Sequence, residues 1–250
     1  EALIQREVQR DLELAHEVQR DFLPDVQPEL PGFLFYDYYQ PANHVGGDYY
    51  DYVTLPDNRI AVIVADVVGH GVAAALLMAK FSAEMRFSLA VESRPDQAVR
   101  LLNERFSRTQ QRGFVTMIMT VIDPQTNEVT IVNAGHMPPV WRRSDGTIDE
   151  PGSEISGIPI GIEETVQYEQ TTIQLAPAEL LVLYTDGLNE ACNPEEEQFG
   201  IDRLKKVVLK TGDVPSDLGT ALVETLGTFQ QEAAQEDDMC LVVFGRSPDA

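Results

Sequence analysis

Aspartate residues stand at the ends of apolar runs or beside glycines in four separate stretches of this 250-residue chain. A carboxylate at a strand end lies on the rim of the core, where several chain ends can converge. Three or four carboxylates at one point cannot all stay ionised unless a cation neutralises them. The pattern indicates either a divalent-metal site or four unrelated exposed turns, and we predict the metal site. The aspartates concerned are Asp48, Asp66, Asp186, Asp237 and Asp238.

Asp66 is the strongest candidate ligand among them. It follows the apolar run 60–65 and precedes the segment Val67-Val68-Gly69-His70-Gly71. The glycines allow a sharp backbone turn, which would expose the Asp66 carboxylate and the Val67 carbonyl on the same side. Hard divalent ions such as Mg²⁺ and Mn²⁺ prefer these oxygen ligands. Asp66 alone could equally cap the following helix, but the other aspartates favour the metal role.

The remaining aspartates give weaker signals one by one. Asp186-Gly187 follows an apolar strand, yet Asp-Gly is also a common turn dipeptide. Asp237-Asp238 precedes the last apolar strand, where adjacent like charges are costly unless a cation or water compensates them. In Gly46-Gly47-Asp48 the aspartate follows two glycines. Asp51 lies on the other face of an extended strand, and we predict a structural role for it.

The composition limits the classes of function. A hydrophobic content of 43% and a charged content of 24% are typical of a folded chain. The net charge of −23 argues against nucleic acid or an anionic membrane as a partner. Two cysteines form neither a disulfide framework nor a zinc-binding spacing, which indicates a reduced, cytoplasmic protein. The first residues lack an initiator Met and a signal-peptide pattern, so we predict a segment of a longer protein.

The hydrophobic periodicity predicts an α+β fold. Strands joined by hairpins, with helices in two groups, favour two antiparallel sheets packed face to face and covered by helices. Residues up to Phe22 predict an amphipathic helix, which either packs on the domain's own flank or ends a coiled-coil linker available for pairing. We therefore divide the chain into a linker helix, 1–22, and a domain, 23–250. The predicted strands are 33–39, 49–55, 59–68, 114–122, 128–133, 140–143, 168–175, 180–184 and 239–244, and the later helices are 72–91, 95–110, 202–210 and 215–231.

Five motifs in a fixed order resemble one family of enzymes. These motifs are Val45-Gly46-Gly47-Asp48-Tyr49-Tyr50-Asp51, Asp66-Val67-Val68-Gly69-His70-Gly71, Asn133-Ala134-Gly135-His136-Met137-Pro138-Pro139, Tyr184-Thr185-Asp186-Gly187-Leu188-Asn189-Glu190-Ala191 and Asp237-Asp238-Met239-Cys240-Leu241-Val242-Val243. They are similar to the metal-dependent PPM-type serine/threonine protein phosphatases, in the bacterial branch that governs sporulation and stress sigma factors. The resemblance implies an αββα sandwich with two Mn²⁺ or Mg²⁺ ions, and room for a third, between the sheets.

The resemblance also implies a role for each matching residue. Asp66 would bridge both metals, with the Val67 carbonyl on one of them. Asp186 and Asp237 would hold the other metal, and Asp48 would reach its metal directly or through water. A water held between the ions by Asp66 would attack the phosphorus of a phosphoserine or phosphothreonine. Residues expected to shape the site without binding metal are Gly47, Gly69, Gly71, Gly187 and Asp238.

Three histidines lie in or near the motifs of the predicted site, and an arginine common in this branch is missing from it. Many members of this branch have an arginine before the Val-Gly-Gly-Asp motif, where this chain has His44. His44 could replace it weakly as a phosphate contact, or the metals alone could bind the phosphate. His70 could act as a general acid towards the leaving alkoxide, but a packing role at a helix start is the stronger alternative. We interpret His136 as a structural turn residue.

The resemblance predicts partners as well as chemistry. It implies a small phosphorylated anti-anti-sigma-type protein as substrate. The interpretation of the N-terminal helix as the end of a coiled-coil linker predicts an upstream sensor domain and a homodimer through this helix. One alternative is a pseudophosphatase that only docks partners, although none of the metal aspartates is lost. Another is a hydrolase or cyclase acting on small phosphate compounds, but the nucleotide-cradling GxxxxGK[ST] and GxGxxG patterns are missing from the sequence.

Overall fold

The computed structural model describes residues 2–109 and 113–249. Six α-helices are described there: α1 (Ala2–Arg20), α2 (Val72–Val91), α3 (Pro95–Thr109), α4 (Asp186–Asn189), α5 (Gly200–Lys210) and α6 (Pro215–Gln230). The ten strands are β1 (Phe33–Gln40), β2 (Tyr49–Thr54), β3 (Ile60–Val67), β4 (Val115–Asp123), β5 (Glu128–Ala134), β6 (Val140–Arg142), β7 (Ile148–Asp149), β8 (Gln170–Gln174), β9 (Leu180–Tyr184) and β10 (Met239–Arg246). A short 3₁₀ turn, Pro56–Asn58, joins β2 to β3.

The strands form two antiparallel sheets of five strands each. Sheet I has the order β1-β10-β9-β6-β7, and sheet II has the order β2-β3-β4-β5-β8. All strand pairings within the two sheets are antiparallel. The predicted fold class, two packed antiparallel sheets flanked by helices, is confirmed.

Alternating side chains sort the buried residues into three apolar layers. In β3, Val62 and Val64 point between the sheets, where they pack with Phe244 of sheet I. The intervening Ile63 points outwards to a second layer that contains Phe81 of α2. A third layer packs the outer face of sheet I against α5 and α6. The side-chain period of two therefore places both sheets face to face, with a helical layer on each side.

The same alternation decides where the strand-end aspartates point. Asp66 is two residues beyond Val64, so it lies on the face of sheet II that meets sheet I. Thr185 continues the inward-facing series of β9, and Asp48 lies two residues before the inward-facing Tyr50 of β2. Asp48, Asp66 and Thr185 therefore lie along the layer between the two sheets.

Several element boundaries differ from the sequence prediction. Helix α1 ends at Arg20, and the backbone N–H groups of Phe22 and Leu23 continue in turns to the carbonyls of Gln19 and Arg20. Helix α3 is described to Thr109, and the predicted end at Gln110 lies outside the described residues. The single turn of α4 and the two-residue β7 went unpredicted because neither is long enough to show a hydrophobic period.

In the ranges 2–109 and 113–249, none of the helices is both long enough and apolar enough to cross a membrane.

Candidate metal centre

Asp48 is the most buried of the five candidate aspartates. Its side chain is only 2% exposed, and its Oδ2 accepts a hydrogen bond of 2.6 Å from Thr185 Oγ1. Burial, and then the nearby charge of Asp66, raise the pKa of the Asp48 carboxyl well above its usual range. A carboxylate in this position is stable in its charged form only when positive charge or further donors reach it.

Asp66 and Asp186 face Asp48 from the two sheets. Asp66 is the penultimate residue of β3, and burial followed by the charge of Asp186 raises its pKa to about 7. Asp186 begins α4, and its pKa is raised by burial, then by Asp237 and Glu190. The charge of Asp186 therefore acts on Asp66, although the two residues are more than 100 positions apart in the chain.

The adjacent aspartates before β10 point in different directions. Asp238 is buried, and its two carboxylate oxygens accept hydrogen bonds from the backbone N–H groups of Ala42, at 2.8 Å, and Gly47, at 2.5 Å. Asp237 is exposed and its Oδ1 accepts from the Asp238 N–H at 2.8 Å. Asp238 thus anchors the loop that carries Asp48, while Asp237 leaves its second carboxylate oxygen to the surface.

Glycines allow these segments to come into contact. A Cβ on Gly47 would lie 2.8 Å from the Val67 carbonyl oxygen, and a Cβ on Gly187 would lie 1.9 Å from the Asp238 carbonyl oxygen. Gly69 and Gly71 have φ angles of +96° and +74°, and a Cβ at either position would meet no atom within 4 Å. Glycine is favoured at these positions because of the positive φ angle and not because of a lack of space. A side chain at Gly47 would fill the space in front of the Val67 carbonyl, the oxygen expected to bind metal.

The donor set fits hard divalent cations. It consists of aspartate oxygens and one backbone carbonyl, which Mg²⁺ and Mn²⁺ prefer over sulfur or nitrogen. Within the described part of the chain, no group of three or more His, Cys, Asp or Glu side chains is arranged closely enough to count as a preformed metal site. The fit therefore rests on the donor chemistry, on the effect of Asp66 and Asp186 on the pKa of Asp48, and on the space that Gly47 leaves open.

His44 and His70 are exposed residues of the loops that carry Asp48 and follow Asp66. The His44 ring nitrogen Nε2 lies 2.8 Å from Gln9 Nε2 of α1, and the His44 carbonyl accepts from His16 Nδ1 at 2.6 Å. His44 therefore faces the N-terminal helix in this structure. His70 is exposed in the turn between Gly69 and Gly71.

Three residues that support the centre were not selected from the sequence. Thr185 donates to Asp48 and accepts from the Cys240 N–H at 2.9 Å, which ties β10 to the Asp48 carboxylate. Gln19 of α1 is buried; its Nε2 donates to the Gly46 carbonyl at 2.6 Å, and its Oε1 accepts from the Gly46 N–H at 3.0 Å. A Cβ on Gly46 would lie 2.4 Å from Asp238 Oδ2. The sequence does not predict the hydrogen bonds of Gln19 and Thr185, because their partners are distant in sequence.

Comparison with known proteins decides the family. A family model described as stage II sporulation protein E (SpoIIE) matches residues 56–247, which is most of the chain. The chain belongs to the SpoIIE family. The resemblance inferred from the five motifs is confirmed.

Curated relatives match this chain over most of its length. Protein IcfG of Synechocystis sp. is 25% identical over 265 residues, covering 95% of this chain and 42% of that protein. The phosphoserine phosphatase RsbP of Bacillus subtilis is 27% identical, covering 94% of this chain and 57% of that protein. The phosphoserine phosphatase RsbU of the same organism is 28% identical, covering 82% of this chain and 61% of that protein. This SpoIIE-family chain spans about half the length of the curated relatives it matches.

Solved structures show the same fold. The SiaA-PP2C domain of Pseudomonas aeruginosa superimposes with a TM-score of 0.85 at 24% identity, covering 98% of this chain and 99% of that chain. The PP2C phosphatase domain of SpoIIE from Bacillus subtilis, with a fragment of its regulatory domain, gives a TM-score of 0.74 at 21% identity. The SpoIIE-family sandwich of this chain is thus the one found in PP2C-type domains.

Proposed function

We propose that this chain is a metal-dependent phosphatase that removes phosphate from phosphoserine or phosphothreonine on a regulatory protein. The observation that carries the proposal is electrostatic: after burial, the charges of Asp66 and Asp186 raise the pKa of Asp48, and the charge of Asp186 raises that of Asp66. Membership of the SpoIIE family supports it. The names of RsbP and RsbU, both phosphoserine phosphatases, support the reaction class.

The proposed ligands are the side chains of Asp48, Asp66, Asp186 and Asp237 and the carbonyl oxygen of Val67. Bound Mn²⁺ or Mg²⁺, two ions and in some states a third, would supply an acidified water and positive charge for the phosphoryl oxygens. The chain itself orients the ligands, since Thr185 fixes one oxygen of Asp48. Gly47, Gly69, Gly71, Gly187 and Asp238 shape the backbone around them.

Substrate and partners are proposed from the same family. The substrate is a small phosphorylated protein of the anti-anti-sigma type, and the SpoIIE family and its named phosphoserine phosphatases support this choice.

Because the relatives are longer than this chain, we place a sensor domain upstream of the 1–22 linker helix, with 23–250 as the phosphatase domain. Exposed Val8, Leu14 and Val18 on α1 support a homodimer through this helix. Two free cysteines support a cytoplasmic location.

His44 and His70 have supporting roles in the proposal. His70 is exposed beside Asp66, where it could donate a proton to the leaving oxygen. His44 could contact phosphate only after its ring leaves Gln9. Replacing each with glutamine would separate the roles, because loss of the acid lowers kcat whereas loss of a phosphate contact raises KM.

Hydrolysis of a phosphoserine peptide, p-nitrophenyl phosphate and nucleotides, with Mn²⁺ or with EDTA, tests the proposal. We expect Mn²⁺-dependent hydrolysis of the phosphopeptide, and a loss on the order of 100-fold or more in Asp66→Asn. Asp57→Asn, in the exposed turn before β3, is the matched control and should retain full activity. A folded, Mn²⁺-saturated protein without phosphatase activity would instead indicate a docking module, and a preference for nucleotides would indicate a small-molecule hydrolase.

A further inference from the structure

His136 connects the two sheets directly behind the candidate metal centre. It follows β5 and is only 6% exposed. Its ring Nδ1 lies 2.8 Å from the hydroxyl of Thr116 on β4, in sheet II. Its Nε2 lies 3.0 Å from the carbonyl oxygen of Tyr184, the last residue of β9 in sheet I. A single imidazole therefore makes a polar contact with each sheet.

The partners determine where the proton of the ring is. A carbonyl oxygen only accepts hydrogen bonds, so Nε2 must carry the proton that is donated to Tyr184. In the neutral ring Nδ1 is then an acceptor, and the Thr116 hydroxyl donates to it. Both ring nitrogens are satisfied in this one tautomer, and both partners lose a hydrogen bond if the ring is replaced by an apolar group.

The backbone of His136 is held as firmly as its ring. The His136 N–H donates to Asn133 Oδ1 at 2.8 Å, and Asn133 Nδ2 donates to the His136 carbonyl at 3.0 Å. Gly135 makes the turn with a φ of +71°, and a Cβ there would lie 2.5 Å from Pro159 Cγ. The turn role that the sequence predicts accounts for this backbone geometry, but not for the two contacts of the ring.

Both contacts lie next to proposed metal ligands. Thr116 is paired directly opposite Asp66 in the register of β3 and β4, on the face between the sheets. Tyr184 is two residues before Asp186. Asp66 comes from sheet II and Asp186 follows the last strand residue of β9 in sheet I, so the spacing of the sheets sets the separation of these carboxylates.

We propose that His136 is a positioning residue that fixes the separation of Asp66 and Asp186, and through it the affinity for divalent cations. This proposal rests on the proposed metal site, although His136 is not one of its ligands. A residue that only filled space could be replaced by an apolar ring. A positioning residue could not, because the sheets would lose a polar link that lies next to both carboxylates in the chain.

Titration of the metal-free protein with Mn²⁺ by calorimetry tests this inference. We expect His136→Phe to weaken Mn²⁺ binding by about 10- to 100-fold. Thr116→Val removes one of the two ring contacts and should weaken binding by a smaller factor. Thr120→Val is the matched control, since Thr120 is a buried threonine on the same face of β4, four residues from Thr116. It should bind Mn²⁺ as tightly as the wild type.

Two further measurements separate positioning from folding. The ¹⁵N chemical shifts of the wild-type ring should show the neutral Nε2–H tautomer. The unfolding of each variant in EDTA reports stability alone, so Thr116→Val gives the answer if His136→Phe does not fold. Wild-type affinity in folded His136→Phe or in Thr116→Val, or an Nδ1–H ring, would overturn the inference. Wild-type affinity in Asp66→Asn would instead overturn the metal site itself, which keeps the two failures distinct.

Discussion

At the scale of single residues, the centre keeps carboxylates where their charge is unfavourable without a counter-ion. Burial and the charge of Asp186 raise the pKa of Asp66 to about 7, and Asp48 is buried with its pKa raised as well. Such groups reduce the stability of the metal-free protein. They contribute to stability only when a cation is bound. This arrangement is typical of sites in which function and stability compete.

Replacing Asp66 should therefore stabilise the metal-free protein at neutral and higher pH. The folded pKa of about 7 exceeds the ordinary aspartate value of 3.8, so the folded state binds more protons between these two pH values. Stability is then lost as pH rises through 7, by at most about 4 kcal/mol. In urea unfolding with EDTA, we expect Asp66→Asn to be more stable than the wild type at pH 8 and equal to it near pH 4.

Asp57→Asn provides the baseline for this experiment, because its exposed carboxylate should leave stability unchanged at both pH values. A stability difference between Asp66→Asn and the wild type that is the same at pH 4 and pH 8 would show that the effect does not come from the Asp66 charge.

At the scale of elements, helix α1 contacts the loop that carries Asp48. The Gln19 side chain makes two hydrogen bonds to the backbone of Gly46, and Asp238 holds Gly47 from the opposite side. Phe22 also packs against the layer that contains α2. The loop is thus held between an N-terminal helix and the segment before the last strand, 191 residues further along the chain.

Gln19→Ala should loosen this loop. Removal of the amide leaves the buried Gly46 N–H and carbonyl without their partner, which costs about 1–3 kcal/mol for each unsatisfied group. We expect faster amide hydrogen exchange in residues 42–48, measured by mass spectrometry, with little change in β3 or β9. Gln5→Ala, at an exposed position on the same helix, is the control. Unchanged exchange in Gln19→Ala would mean that Asp238 alone holds the loop.

At the scale of the whole molecule, three apolar layers carry the fold beneath a strongly acidic surface. The chain has 41 acidic and 18 basic residues, so burial of apolar surface must hold it together against its own charge. The layer between the sheets is the one that sets the distance between the two halves of the centre. Phe244 on β10 lies in that layer, where it stacks on Phe35 with ring centroids 6.0 Å apart.

Phe244→Ala should destabilise the whole domain. Its side chain is fully buried, and removal of a buried phenyl ring costs about 3–5 kcal/mol. For a chain of this length, the expected fall in Tm in a thermal melt is about 6–20 °C. Phe87→Ala on α2 removes the same group from a side chain that is 45% exposed, and should lower Tm much less. Equal losses in the two variants would argue against the inter-sheet layer as the main core.

Local signals in the sequence were sufficient for the longer helices and strands and for the fold class. The run 60–65 predicts strand β3, and the Ala-rich segment after Gly71 predicts helix α2, because side-chain periodicity and turn chemistry act over a few residues. The same signals mark Asp48, Asp66 and Asp186 as strand-end or turn carboxylates. Ordered motifs then point to the family without any knowledge of the three-dimensional contacts.

The pairing of residues that are distant in sequence depends on how the sheets and helices pack. The sequence alone does not show that Gln19 binds Gly46, that Thr185 donates to Asp48, or that His136 reaches Tyr184. Each contact joins segments brought together by the sheet order β1-β10-β9 or by the packing of one sheet on the other. Local periodicity determines which face a side chain occupies, whereas the burial of whole layers determines which distant side chain lies opposite it.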